Sequence, residues 1–266
     1  MRGVFANSKD NECKKPLGIS SSALNVILEA FTCCSTARIL PPAPSGDDEE
    51  FIDNRPQVIG SKTEAAMIML SQSDWGYNDD TDKRRDAANF GKEGGSRLFP
   101  FSSSRKRMTV LVKKDGDGVT MYHKGAAEII LKNCTRYLDI DGTEKHMTAE
   151  KRKYYETIIQ DFAEDALRCI AITHRNQIEN ITNDISDISV ADCEKKLERD
   201  MCLDALVGIS DPLREDVVDA IAVCQKAGIF VRMVTGDNIE TARAIAKQAG
   251  ILTEGTIYWY WNLLYL

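Results

Sequence analysis

The residues with the clearest chemical potential are Phe101, Lys106, Lys124 and Gly125. A purine nucleotide needs a flat apolar surface for its base and cations for its phosphates, and one ring with two lysines supplies both. The residue types alone leave a second reading open, in which Phe101 is a core ring and the lysines are a solvated face. Two short acidic loops follow further along, Asp211-Pro212-Leu213-Arg214 and Thr235-Gly236-Asp237-Asn238. Carboxylates beside a hydroxyl and a guanidinium suit phosphate chemistry, but Thr and Asn before a helix are also ordinary caps.

Those side chains depend on the elements that carry them. Arg97-Leu98-Phe99-Pro100-Phe101 precedes Arg105-Lys106-Arg107-Met108, which leads into a strand over 109–112. Asp115-Gly116-Asp117-Gly118 is a hairpin-turn signal and 119–123 is the returning strand. Lys124-Gly125-Ala126 ends that strand, and a helix starts over 127–131. Phe101, Lys106 and Lys124 are therefore expected at the ends of neighbouring antiparallel strands.

Upstream, Leu24, Ile27, Leu28 and Phe31 share one helical face, closed by Pro41, Pro42 and Pro44. Ser61-Lys62-Thr63-Glu64 is an S-x-x-E capping box, and Ala65, Ile68 and Met69 form the apolar face behind it. Downstream, Thr148 caps a helix over 149–167 that buries Tyr155, Ile158, Ile159, Phe162 and Leu167. Arg168-Cys169-Ile170-Ala171-Ile172 follows as an inner strand, with Arg168 readable as a simple helix-end charge. The stretch 207–250 then suggests strand, helix, strand, helix, with apolar runs over 203–209 and 229–234 as the strands and Gly228 and Gly250 as helix ends. A right-handed parallel crossover would leave both acidic loops at the carboxyl edge of the sheet, so Asp211 and Asp237 are expected to face one crevice.

Tyr137-Leu138-Asp139-Ile140-Asp141-Gly142-Thr143 offers a competing site. It is similar to the Asp-x-Asp-Gly-Thr nucleophile motif of soluble haloacid-dehalogenase-type phosphatases, with Asp139 as nucleophile. That motif should follow a buried apolar strand, whereas Asn133-Cys134-Thr135-Arg136 precedes it here. A hairpin turn at Asp141-Gly142 explains the same residues.

Composition narrows the class. With 43% hydrophobic and 28% charged residues the 266-residue chain is that of a globular protein. Lys+Arg 34 against Asp+Glu 41 gives a net charge of -7, which argues against a non-specific nucleic-acid binder. The eight cysteines lack paired CxxC spacing and there are three histidines, so reduced thiols are expected rather than a disulfide frame or a zinc site. No run reaches the roughly 20 apolar residues that cross a bilayer, and the N-terminus has no apolar signal core. The chain as it stands is expected to be soluble.

Taken together, Phe-Ser-x-x-Arg-Lys-x-Met from Phe101 to Met108, the Lys-Gly-Ala strand end, Leu-Arg-Cys-x-Ala from Leu167 to Ala171, and the two acidic loops resemble P-type cation-transporting ATPases of the calcium-transporting type. The similarity covers roughly 20–254. It implies α/β and α+β architecture: a flexible N-terminus over 1–19, an antiparallel-sheet nucleotide-binding domain with flanking helices over 20–202, and part of a haloacid-dehalogenase-like, Rossmann-type phosphorylation domain over 203–254. The apolar, aromatic stretch 255–266 is unlike the family.

The resemblance also implies roles. Phe101 stacks on adenine, Lys106 reaches the nucleotide, Lys124 with Gly125 lies deep in the pocket, Glu64 borders the adenine site and Arg168 meets the phosphates. Asp211, Arg214, Thr235, Gly236 and Asp237 help hold phosphate and Mg²⁺ beside a phosphorylated aspartate. Ser103 departs from the pattern, since some relatives carry a phosphate-assisting arginine there. The cofactors implied are ATP and Mg²⁺, with Ca²⁺ the transported ion of a parent membrane pump whose nucleotide domain is cytoplasmic. Its implied partners are the nucleotide, the other pump domains and the transmembrane helices. The Asp-Lys-Thr-Gly-Thr motif of the family does not occur in the 266 residues, so no catalytic nucleophile is expected here. A stand-alone nucleotide-binding module without turnover and a soluble phosphatase are the alternative readings, and an isolated product would be cytosolic.

Overall fold

The computed structural model describes residues 18–42, 56–75, 83–85, 88, 95–113, 118–176, 178 and 185–253. The expected loop 45–54, most of the excursion 74–95, the turn residues Asp115-Gly116-Asp117 and the tail 255–266 lie outside them, as do residues 1–17 of the N-terminal stretch. Packing divides the chain into two units. The first holds the described residues up to Ile159 with Cys169–Ile209, and the second holds Gln160–Arg168 with the described residues from Ser210 onward.

The first unit is built on a seven-stranded sheet in the order β3-β4-β5-β8-β9-β6-β7. Its strands are β3 (Arg97–Ser102), β4 (Arg107–Lys113), β5 (Val119–Ala126), β6 (Cys134–Leu138), β7 (Glu144–His146), β8 (Arg168–Arg175) and β9 (Met201–Ile209). Pairing is antiparallel from β3 through β8 and between β6 and β7, whereas β9 runs parallel to β6. A separate antiparallel pair joins β1 (Arg38–Leu40) to β2 (Gln57–Ile59). The expected hairpin partners 109–112 and 119–123 face each other in full register.

Helices α1 (Ser21–Cys33) and α2 (Lys62–Met69) close the main core. Alternation along β4 puts Met108, Val110 and Val112 in one cluster with Tyr122, Ile172, Val207, Ile27, Phe31 and Met67. Leu24, Ile27, Leu28 and Phe31 are all buried, as the 3.6-residue spacing requires. Truncating Phe31 to alanine would cost about 3–5 kcal/mol in such a core. Ser20 Oγ accepts from the Ala23 N–H at 3.2 Å, and the Ser20 N–H donates to the Ile140 carbonyl at 2.7 Å. The start of α1 is thereby tied to the β6–β7 turn.

A short helix α3 (Ala127–Ile130) leaves the end of β5, and α4 (Ala149–Glu164) begins where Thr148 Oγ1 accepts from the Lys151 N–H. Tyr155, Ile158, Ile159, Phe162 and Leu167 are buried, as expected. A further short helix, α5 (Val190–Asp192), lies in the polar connection before β9.

The second unit contains α6 (Val217–Lys226) and α7 (Ile239–Gln248). Gly228 and Gly250 terminate them with φ of 77° and 74°, a backbone region that favours residues without Cβ. The strand expected over 229–234 does not form. Its backbone is irregular, and Phe230 and Val234 are 91% and 95% exposed. Strand-forming residue types are insufficient without a neighbouring strand, and none among the described residues pairs with this segment. The other apolar run, 203–209, is part of β9 and lies between β8 and β6 in the first unit's sheet. The second strand of the expected crossover does not form among the described residues.

Candidate functional site

The turn between β3 and β4 carries Phe101 and Lys106. Ser102 pairs with Arg107, and Arg107 pairs with Gly125, so the ends of β3, β4 and β5 are adjacent as expected. Lys106 has a φ of 51°, a left-handed backbone that costs a non-glycine residue about 1–2 kcal/mol. Its N–H donates to the Ser102 carbonyl at 2.7 Å, and its own carbonyl accepts from the Ala126 N–H at 3.0 Å. A Cβ on Gly125 would stand 2.4 Å from the Lys106 carbonyl oxygen and 2.7 Å from the Arg107 Cα. Only glycine permits this approach, which explains Gly125 by backbone geometry. Phe101, next to Ser102, is 56% exposed.

A buried carboxylate that the sequence did not mark out anchors this turn. Glu198, its side chain fully buried, takes ion pairs from Arg105 and from Arg107, the latter at 2.6 Å, and accepts from Thr109 Oγ1 at 2.6 Å. Arg107 also pairs with Glu194. Burial pushes the Glu198 carboxyl upward, but the facing cations and hydrogen bonds outweigh it and hold the group below its ordinary value. His123 is buried nearby, and desolvation drops its pKa to about 4. Arg105 and Arg107, two apart on either side of Lys106, were the available signal, since two guanidiniums so placed call for a shared acid.

Lys124 and Glu64 meet in the interior. Lys124 Nζ lies 3.5 Å from Glu64 Oε1, and both residues are buried. The expected capping box forms only in half: Ser61 Oγ accepts from the Glu64 N–H at 3.4 Å, but the carboxylate does not complete it. Glu64 Oε2 instead accepts from the Thr36 and Ala37 N–H groups and the Ser35 and Thr36 hydroxyls, at 2.7–3.2 Å. Burial raises the Glu64 carboxyl, while Lys124 and these donors more than compensate and keep it low. Lys124 is shifted down by desolvation, partly offset by Cys34 and Glu64. Beyond the ion pair with Glu64, its ammonium has no hydrogen-bond partner among the described residues. A buried donor left unmatched is costly, and it fits a polar ligand atom arriving from outside the protein.

In the second unit, Arg168 joins the two acidic loops. Its guanidinium lies 3.2 Å from Asp211 and 3.2 Å from Asp237, so these carboxylates do converge, around an arginine. Thr235 Oγ1 donates to Asp237 at 2.8 Å and accepts the Asp237 N–H at 3.1 Å. A Cβ built on Gly236 would meet no atom within 4 Å among the described residues. Arg214 is exposed, and its carbonyl accepts the Val217 N–H. Thr241 Oγ1 donates to the Leu167 carbonyl, which fixes α7 beside Arg168.

The Asp139 region is a hairpin turn. The Asp139 N–H donates to the Thr143 carbonyl and the Gly142 N–H to the Asp139 carbonyl, with Gly142 at a φ of 88°. Lys145 pairs with Asp139, while Asp141 accepts from Thr143. These are turn contacts on the antiparallel β6–β7 connection, in which Lys145 and the Ile140 N–H occupy the Asp139 carboxylate.

These features define an α/β protein with a mixed, mostly antiparallel sheet, one end of which presents an exposed ring, a constrained lysine and a buried, unmatched ammonium. The family model described as P-type ATPase, cytoplasmic domain N, matches residues 23–216. The chain belongs to the P-type ATPase family. It is 41% identical over 201 residues to the calcium-transporting ATPase PAT1 of Dictyostelium discoideum, covering 75% of this chain and 16% of that protein. It is 34% identical over 261 residues to plasma membrane calcium-transporting ATPase 4 of Bos taurus, covering 96% and 20%. Calcium-transporting ATPase 9, plasma membrane-type, of Arabidopsis thaliana is 34% identical over 250 residues, covering 94% and 21%. The chain thus spans about a fifth of the length of these relatives. No helix among the described residues is long and apolar enough to cross a membrane.

Proposed function

We propose that this chain is the ATP-binding cytoplasmic portion of a P-type Ca²⁺-transporting ATPase, with 203–254 as part of its haloacid-dehalogenase-like phosphorylation domain. The observation that carries the reading is Lys124, a buried ammonium beside Glu64 with no hydrogen-bond partner, next to the glycine that keeps β4 and β5 close. An exposed ring and a buried ammonium with spare hydrogen-bond donors fit the two halves of a purine nucleotide. Phe101 offers the stacking surface, Lys106 and Lys124 the charge, and Glu64 supplies the counter-charge that Lys124 has in the interior.

Arg168 has the chemistry for a phosphate and would exchange carboxylate contacts for phosphate ones. Asp211 and Asp237 are each held by Arg168 and do not form a separate oxygen cage, so Mg²⁺ would come coordinated by the nucleotide. In the parent pump the bound nucleotide supplies the phosphoryl group, and the residues here position it and neutralise its charge. The 266 residues contain no Asp-Lys-Thr-Gly-Thr, so this polypeptide would bind ATP without turning it over. A nucleotide-binding module without turnover rests on the same residues. Incubation with ATP and with a generic phosphate ester tests the reading: saturable ATP binding without phosphate release supports it, and ester hydrolysis abolished by Asp139→Asn would overturn it in favour of a phosphatase.

A further inference from the structure

The sheet assembles a second chemical cluster between β7, β8 and β9. One ligand atom each from Glu144, His174 and Cys202 lies within 4.8 Å of the others. His174 Nδ1 is 2.6 Å from Asp204 Oδ1, and its Nε2 is 3.1 Å from Glu144 Oε1. His174, Cys202 and Asp204 are buried, while the Glu144 side chain is 25% exposed. We propose that Glu144, His174 and Cys202 bind a divalent transition-metal ion of the zinc type, with Asp204 orienting the imidazole.

Three observations carry it. Thiolate, imidazole and carboxylate together select zinc-like ions over Mg²⁺ or Ca²⁺, and three protein ligands leave one position for water. Tetrahedral zinc with ordinary bond lengths places its N and O ligands about 3.3 Å apart and its N and S ligands about 3.6 Å apart. The His174–Glu144 distance of 3.1 Å already approaches the first figure, and the cluster, within 4.8 Å overall, would draw the Cys202 sulfur inward on binding. The carboxylate on Nδ1 leaves Nε2 as the metal-facing nitrogen, the second-sphere arrangement usual for a ligating histidine. Asp204 also keeps its buried Oδ2 without a hydrogen-bond partner among the described residues, so the cluster holds acceptor capacity that the protein leaves unused. Arg136 Nη1 holds the other Glu144 oxygen at 2.5 Å, and Oε1, which faces His174 Nε2 and accepts from Asn176 Nδ2 at 3.4 Å, would turn to the metal. Binding requires the thiolate form of Cys202 and a free Nε2 lone pair on His174, so metal uptake releases protons and weakens as the pH falls. The ligands come from three strands far apart in sequence, which hid the site from any spacing rule.

The test is to titrate the untagged 266-residue chain with Zn²⁺ against a chromophoric chelator, and with Co²⁺ by absorption. One equivalent of zinc, a near-ultraviolet thiolate-to-cobalt band lost in Cys202→Ser, and at least about tenfold weaker zinc binding in Glu144→Gln are expected. Should Cys202→Ser fail to fold, Glu144→Gln decides alone, because its side chain lies at the exposed edge of the cluster. No saturation at one equivalent, no thiolate band, or wild-type affinity in Glu144→Gln would overturn the proposal.

Discussion

Lys124 Nζ stands 3.5 Å from Glu64 Oε1, both in the interior, and only the glutamate has its hydrogen-bonding satisfied. The two ends of this pair should therefore respond differently to mutation. Glu64→Ala strips a buried ammonium of its counter-charge and removes the acceptor for 35–37, so it should lose about 3–5 kcal/mol. Lys124→Met leaves Glu64 with its four donors and should cost distinctly less, while weakening ATP binding. Urea unfolding with ATP titration on both variants checks this, and equal stability losses would contradict it.

Gly125→Ala puts a methyl group against backbone that cannot move aside. A loss of about 1–3 kcal/mol is expected from overpacking, together with weaker nucleotide binding as the Lys106 turn shifts. Gly118→Ala, with nothing within 4 Å of the added carbon among the described residues, serves as the neutral control in the same unfolding experiment.

Glu198 and His123 make the first unit sensitive to acid. The folded His123 pKa of about 4 lies below the ordinary 6.5, so the unfolded chain binds more protons between those values. Stability is fully present above about pH 6.5 and falls as the pH drops towards 4, by about 3 kcal/mol from this group. Glu198, also depressed, loses its contribution in the same direction, below its ordinary value near 4.5. Unfolding free energies from pH 7 to 4, compared between wild type and His123→Gln, isolate the histidine. Parallel curves would refute its role.

Arg168 joins Asp211 and Asp237 close to solvent, with side-chain exposures of 39%, 65% and 20%. Exposed pairs of this kind contribute about 0–1 kcal/mol. Arg168→Gln should therefore barely move the unfolding midpoint, and high salt should abolish even that difference. A large shift would show that Arg168 is a structural strut.

Much of this arrangement was legible in the sequence because it is local. Helical spacing gave the buried faces of α1 and α4, and the hairpin signal between 109–112 and 119–123 paired the strands that bring Lys106 near Gly125. Glu198 was not legible: it meets Arg105 from 93 positions away, and no periodicity encodes such a contact. The 229–234 run failed for a related reason. Its valines and isoleucine describe a strand, but strand formation also depends on a neighbour that the run itself cannot specify. Asp211 and Asp237 came together even so, held by Arg168 instead of by the expected crossover.

The most direct test of the nucleotide reading is calorimetric titration of ATP into the wild-type chain and Phe101→Ala. Because Phe101 is largely exposed, its removal should leave the unfolding midpoint in place. Loss of base stacking, worth about 1–3 kcal/mol, should weaken ATP roughly tenfold or more. Saturable binding lost in this way is the predicted result; no saturable binding, or identical affinity in the two proteins, would contradict the account.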